Sequence, residues 1–163
     1  MGVGKSTIGI RLAQRMKFDF LDTDERIEQQ ETTKITEIFA KKGEAYFREL
    51  ETVCLKTLLK QETTGFVISV GGGLPVKEEN QRLLKELGTV IYLKAEPETI
   101  YERIKDDTTR PLLQTANPLQ KMKEMMQFRE EKYQNAAEAE VRVDGKEISE
   151  IIEEIISIFG GKE

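Results

Sequence analysis

Gly2-Val3-Gly4-Lys5-Ser6-Thr7 stands at the start of the chain and matches the second half of the phosphate-binding pattern G-x-x-x-x-G-K-[ST]. The residue types suit an anion. Glycine lets backbone N–H groups turn toward phosphate oxygens, lysine reaches the β- and γ-phosphates, and the serine hydroxyl ligates Mg2+. A helix following the loop adds its positive end. The first glycine of the pattern would stand five residues before Gly4, ahead of Met1, as would the strand that feeds such a loop. A half-motif arises readily by chance, so the remaining residues must decide.

Several other groups have chemistry available to them. Asp22 and Asp24 are two residues apart after a short apolar segment. In extended backbone both would project to one side, one carboxylate near a metal and one near an attacking hydroxyl, as phosphoryl transfer needs. The competing reading is a solvated turn capping the next helix, and local sequence leaves the two level. Arg48 has Glu44 and Glu51 one turn to either side, the pattern of an exposed, weakly paired helix face. Arg129 falls in the stripe Met122, Met125, Met126, Arg129, Tyr133. An arginine on a buried face must meet an anion, either a structural carboxylate or a carboxylate-bearing ligand. Gly71-Gly72-Gly73 follows an apolar run and would let backbone approach a ligand closely, or be a plain loop. Arg110 stands in an aperiodic stretch, either as a surface cation or as one that closes over phosphate.

Composition narrows the field. The 163 residues suit one domain, read as 1–163, with a core that needs no staples. A net charge of −5 with 34% charged residues argues against nucleic-acid and membrane partners. The absence of histidine removes the usual general base and the commonest zinc ligand. The single cysteine, Cys54, lies among Val53, Leu55, Leu58 and Leu59 and reads as a buried thiol. No apolar run approaches a membrane span and no secretion signal is read, so a cytoplasmic protein is expected.

Apolar spacing sets out the elements that must carry these residues. Helices are expected over Ser6–Met16, Thr36–Lys41, Gly43–Gln61, Lys77–Leu87, Pro97–Lys105 and Leu119–Tyr133. A closing amphipathic helix carries Ile148, Ile151, Ile152, Ile155, Ile156 and Phe159. Phe18–Leu21, Phe66–Val70 and Thr89–Leu93 read as strands, with Glu140–Val143 a weak edge strand. Residues 106–118 show no periodicity and form a loop of about a dozen residues, long enough for a lid. Apolar strands alternating with helices predict a three-layer α/β fold, a parallel sheet with helices on both faces. Ligands on such sheets bind at the carboxyl ends of the strands. Asp22–Asp24, Gly71–Gly73 and the Arg110 loop fall at those ends, and with the phosphate loop they point to one crevice.

Together these residues resemble the shikimate kinase family. The likeness runs in order through Gly2–Thr7, Asp22-Thr-Asp24, Ile38-Phe39, Gly43-Glu44, Phe47-Arg48-Glu49-Leu50-Glu51, Gly71–Gly73, Arg110-Pro-Leu-Leu113 and Arg129-Glu-Glu-Lys-Tyr133. The resemblance implies a fold of P-loop NTPase type and ATP-dependent phosphorylation of the 3-hydroxyl of shikimate, with Mg2+ as cofactor. It implies that Gly2, Val3, Gly4, Lys5, Ser6 and Thr7 bind the nucleotide phosphates, that Ser6 holds the metal, and that Asp22 holds it through water. Asp24 would bind the substrate hydroxyls and accept the proton of the attacking one. Arg48 and Arg129 would clamp the shikimate carboxylate beside Gly71, Gly72 and Gly73. Arg110 would meet the transferring phosphate, and Arg103 would stack on adenine. A monomer is expected, taking ATP and shikimate, with no nucleic-acid or membrane partner.

Three departures stand out. Thr32 occupies a turn where the family pattern has glycine, and Val143-Asp-Gly-Lys146 lacks a threonine expected near adenine. The first strand and first loop glycine are absent from this chain. Neighbouring strands would then lack a partner. A gene product starting roughly ten residues upstream is expected, with the 163-residue chain less stable and weaker toward ATP than the longer one.

Overall fold

The computed structural model describes residues 2–61, 64–110 and 113–161. They form α1 (Lys5–Met16), β1 (Asp19–Asp22), α2 (Thr23–Glu31), α3 (Ile35–Lys60), β2 (Phe66–Ser69), a 3-10 turn (Leu74–Val76), α4 (Glu78–Leu87), β3 (Ile91–Lys94), α5 (Pro97–Ile104), α6 (Pro118–Ala136), β4 (Ala139–Arg142) and α7 (Ile148–Gly160). The α/β class and the parallel pairing expected from the apolar runs are both present. The four described strands pair two and two, β1 with β2 and β3 with β4. Among the described residues each strand pairs with one other, and Phe66–Ile68 and Ile91–Leu93 are half-buried rather than enclosed. None of the described helices is long and apolar enough to cross a membrane.

The chain makes two compact units, Ser6–Gly88 and Met1–Lys5 with Thr89–Glu163. In the first, β1 lies parallel to β2 with Asp19 opposite Phe66 and Asp22 opposite Ser69. A parallel pair needs a crossover, and α2 and α3 supply it. Their apolar faces meet in a core of Ile27, Ile38, Phe47, Cys54 and Leu58, packed by Leu21, Phe39 and Ile68. Cys54 is fully buried, and burial pushes its thiol pKa up. Helix α2 has little apolar periodicity for sequence to reveal; Thr23 and Ile27 are its buried residues. The two helices expected around Gly43 are both present within α3, separated at that glycine by non-helical backbone (φ 83°, ψ 171°).

The second unit holds β3 parallel to β4, with Ile91 opposite Ala139 and Lys94 opposite Arg142. Val141 and Val143 are buried, and α7 packs on β4 through its Ile151, Ile152 and Ile155 face. Phe159, expected on that face, lies in the last turn and is exposed. Helix α6 is tied to β3 by Glu130, which pairs with Lys94 and accepts from the Tyr92 hydroxyl at 2.9 Å. Burial and the Glu130 carboxylate raise the Tyr92 pKa far above its ordinary value, so the phenol remains a donor.

Thr32 ends α2 in the left-handed conformation (φ 51°, ψ 33°), its N–H donating to Glu28 O. A β-branched residue there costs about 1–2 kcal/mol. Glycine avoids that cost while losing about 0.5–1 kcal/mol to unfolded-state freedom. Thr32→Gly should therefore stabilise the chain by about 0.5–1 kcal/mol, read as a higher midpoint in urea. A lower midpoint would show that Thr32 contributes more than its backbone strain.

Candidate active site

The phosphate loop is shaped by two positive-φ glycines, Gly2 (φ 64°) and Gly4 (φ 88°), around buried Val3. At Gly2 a Cβ would lie 2.8 Å from the Cγ2 atoms of Ile100 and Ile104, so only glycine lets the loop reach α5 this closely. Arg103 of α5 donates from Nη1 to Val3 O at 3.1 Å. The family resemblance implies that this arginine stacks on adenine. In the structure one of its donors is spent on the phosphate loop, while the residue remains exposed. Helix α1 begins at Lys5 with no acidic residue in its first turn, and Ser6 and Thr7 are exposed. Within that first turn no acidic side chain opposes an anion at the helix start.

The two aspartates do different local jobs. Asp22 is the N-cap of α2, with Oδ1 accepting from Asp24 N at 2.9 Å and from Glu25 N at 3.3 Å. The extended geometry expected to align Asp22 with Asp24 stops at Asp22, because the backbone turns helical at Thr23. The capping residue is Asp22, not Asp24. Asp24 turns instead to the glycine triplet: a Cβ on Gly71 would lie 2.9 Å from its Oδ1 and 3.3 Å from its Oδ2.

Arg48 comes to the same place from α3. Its Nη1 lies 2.9 Å from Glu51 Oε2 and its Nη2 lies 3.2 Å from Glu44 Oε1. The Glu51 side chain is only 1% exposed, so this is not the solvated helix face that the spacing suggested. Burial opposes the charge on Arg48, yet hydrogen bonds and attraction from Glu51 and Glu44 hold its pKa above the ordinary value. The guanidinium lies where a side chain at Gly73 would be, with a hypothetical Cβ 2.5 Å from Nη2 and 2.6 Å from Cζ. Gly72 between them is half-buried. Thus Asp24, Arg48, Gly71 and Gly73 are brought together, with Glu51 beneath.

Sequence reasoning gave Glu51 no role. A signal was present: Phe47, Glu51, Cys54, Leu55 and Leu58 follow the helical spacing of a buried face.

Arg110 and Arg129 belong to the unit with β3 and β4. Arg110 Nε lies 2.8 Å from Asp107 Oδ2. Hydrogen bonds from the Thr109 side chain and backbone, then from Arg110, hold the Asp107 carboxyl below its usual range. The Arg129 stripe is less enclosed than expected: Met122 is buried, whereas Met125, Met126, Arg129 and Tyr133 are half-buried. Among the described residues no carboxylate pairs with Arg129, so the structural ion pair considered for it is not found there.

A metal must be tested against the donors present. Among the described residues no three histidine, cysteine, aspartate or glutamate side chains gather to hold an ion. That suits Mg2+, which takes one or two protein oxygens and completes its shell with phosphates and water. The exposed Ser6 hydroxyl and the Asp22 carboxylate, whose capping bonds use Oδ1 alone, fit such a role.

A glycine-lined phosphate loop opening a helix, parallel strands ending in carboxylates and glycines, and an arginine over the glycine wall define a P-loop kinase of α/β type. The particular family follows from comparison. A family model for shikimate kinase matches residues 1–159, and the chain belongs to that family. A shikimate kinase of Sulfurihydrogenibium sp. is 41% identical over 157 residues, covering 96% of this chain and 92% of the relative. One from Neisseria gonorrhoeae is 44% identical over 138 residues, covering 85% and 80%. Among solved structures, the shikimate kinase of Acinetobacter baumannii in complex with shikimate has TM-score 0.90 at 33% identity, covering 100% of this chain and 90% of that one. The enzyme from Aquifex aeolicus has TM-score 0.84 at 38% identity, with 99% and 93% covered.

Glu51 supports Arg48 from below, and removing it leaves the guanidinium, 29% exposed, with Glu44 alone. Glu51→Ala should cost about 1–3 kcal/mol, near the value of a charged hydrogen bond rather than a fully buried pair. Glu51→Gln, which keeps an acceptor, should recover part of it. Thermal melts of the two variants check this, and equal melting of Glu51→Ala and the parent chain would rule out the support.

Proposed function

We propose that this chain transfers the γ-phosphoryl group of ATP to the 3-hydroxyl of shikimate, giving shikimate 3-phosphate and ADP. The observation that carries the reading is the Arg48 guanidinium lying on Gly73, beside Asp24 at Gly71, in a chain of the shikimate kinase family. A guanidinium fork suits a carboxylate, and Arg129, half-buried with no carboxylate partner among the described residues, would supply a second one. A sugar-like acid needs both its charge and its hydroxyls read, and Asp24 is the acceptor for a hydroxyl proton.

The roles divide by chemistry. Backbone N–H groups of Gly2–Thr7 and the ammonium of Lys5 would receive the nucleotide phosphates. When bound, Mg2+ supplies charge neutralisation at the β- and γ-phosphate oxygens. Ser6 and Asp22 would hold it. Arg110 would exchange Asp107 for the transferring phosphate, and Arg103 would keep the phosphate loop against α5 while offering its outer face to adenine. Phosphoryl transfer rests on positioning and charge more than on covalent chemistry, which suits a site of arginines, lysine and glycines. The same reading places the enzyme in the cytoplasm, where ATP is supplied.

ADP formation measured with and without shikimate tests the reaction, which predicts turnover only when shikimate is present. Shikimate-independent hydrolysis alone would contradict it. Arg129→Ala should raise KM for shikimate by roughly 30-fold or more while KM for ATP stays within about twofold, since truncating one partner of a desolvated charge pair costs about 2–5 kcal/mol. Unchanged KM for shikimate with lower thermal stability would make Arg129 structural.

The aspartates separate by a different measurement. Asp24→Asn should depress kcat with ATP binding near normal, whereas Asp22→Asn should raise the Mg2+ concentration needed for half-maximal rate. Identical Mg2+ titrations for the two variants would dissolve that division.

A further inference from the structure

Asn80 lies outside the groups assigned to the reaction, yet it is only 1% exposed, in the first turn of α4. A buried amide has to satisfy both ends, and both ends here are committed. Its Nδ2 donates to Leu74 O at 2.9 Å, and its Oδ1 accepts from the Thr52 hydroxyl at 2.8 Å. A carbonyl oxygen only accepts, so the bond to Leu74 fixes which end of the amide is which. Thr52 is 2% exposed and stands one turn beyond Arg48 on α3. Its single proton is 2.8 Å from Asn80 and 3.3 Å from Arg48 O, and the shorter contact takes it. Lys77 Nζ completes the chain, donating to Thr52 Oγ1 at 3.2 Å.

The other end of this chain of bonds is the glycine triplet. Leu74 N donates to Gly71 O at 3.1 Å and Val76 N to Gly73 O at 3.3 Å, folding the triplet into the 3-10 turn. The neighbouring Gln81 donates from Nε2 to Pro75 O at 2.9 Å. The turn is therefore held by two side-chain amides of α4, and only one of them continues to α3. Asn80 ties the turn that follows Gly73 to the helix turn that follows Arg48. Those are the two sides of the contact where a Cβ would sit 2.5 Å from the guanidinium. The guanidinium occupies the space a side chain at Gly73 would take, so the separation of these two elements bears on where Arg48 can lie.

We infer that Asn80, acting through Thr52 and the Leu74 carbonyl, is a positioning residue that sets the separation of Gly73 from Arg48 and so tunes the site for its acid substrate. The inference rests on the reading of Arg48 as the carboxylate-binding arginine. It assigns Asn80 no contact with substrate.

Steady-state kinetics on Asn80→Leu, Thr52→Val and Thr52→Ser separate positioning from plain stability. Asn80→Leu and Thr52→Val should each raise KM for shikimate about tenfold, the scale of one lost hydrogen bond, with KM for ATP and kcat within about twofold. Thr52→Ser keeps the hydroxyl and should restore KM to near the parent value. Calorimetric titration with shikimate should show the same order of affinities. If Asn80→Leu does not fold, the Thr52→Val and Thr52→Ser pair decides alone. A folded Thr52→Val with parent KM for shikimate, or one in which both KM values rise together, overturns the inference while the function stands. A parent chain that neither phosphorylates nor binds shikimate overturns the functional reading and this inference together.

Discussion

The arrangement around Arg48 depends on how β1 lies against β2. Their parallel register sets Asp22 opposite Ser69, so the two strands end level. What leaves each strand emerges beside its neighbour: the cap of α2 from one, the glycine triplet from the other. Gly71 N lies 3.4 Å from the hydroxyl of fully buried Thr23, a stitch just past the last strand pair. A slip of one residue would reverse the faces of either strand and separate Asp24 from Gly71. The same pairing dictates the source of the arginine. Parallel strands cannot be joined by a tight turn, so chain must cross over, and α3 is part of that crossover.

The pair formed by Arg48 and Glu51 shows how such a site is held ready. Burying two charges gives little net stability, because desolvation offsets most of their attraction. What the pair does give is one defined place for the guanidinium, with the buried carboxylate on one side and Gly73 on another. An arginine fixed before its ligand arrives loses less conformational freedom on binding. Arg129, in the other unit, is half-buried and has no carboxylate partner among the described residues.

Much of this was legible in the residues. Three described strands fall on apolar runs and the fourth, Ala139–Arg142, where a weak edge strand is expected; Asp24 and the glycines stand out by type and position, whereas Arg48 is marked only by the family resemblance. What was misread has physical causes. Helix α2 was not located because a short, solvated helix shows little apolar period. Asp22 and Asp24 were given extended spacing because sequence does not show that the backbone turns helical one residue after the strand. Glu51 was taken for a surface charge because adjacent acid and base on a helix are usually solvated; only its place beside Cys54 and Leu55 marks it as interior. Asn80 and Thr52 gave no signal, since each bonds to a residue 28 positions away.

The glycine wall has a consequence for how this site can change over generations. Beside Arg48 and Asp24 the surface at Gly71 and Gly73 is peptide backbone, and any side chain added there meets a charged group closer than ordinary contact allows. A pocket wall of side chains can be reshaped gradually, one methyl group at a time, but a wall of bare peptide offers no smaller or larger neighbour to drift toward. A side chain at Gly71 or Gly73 would therefore enter together with a shift of Asp24 or Arg48, so change at the wall is coupled to change in the charged groups it faces.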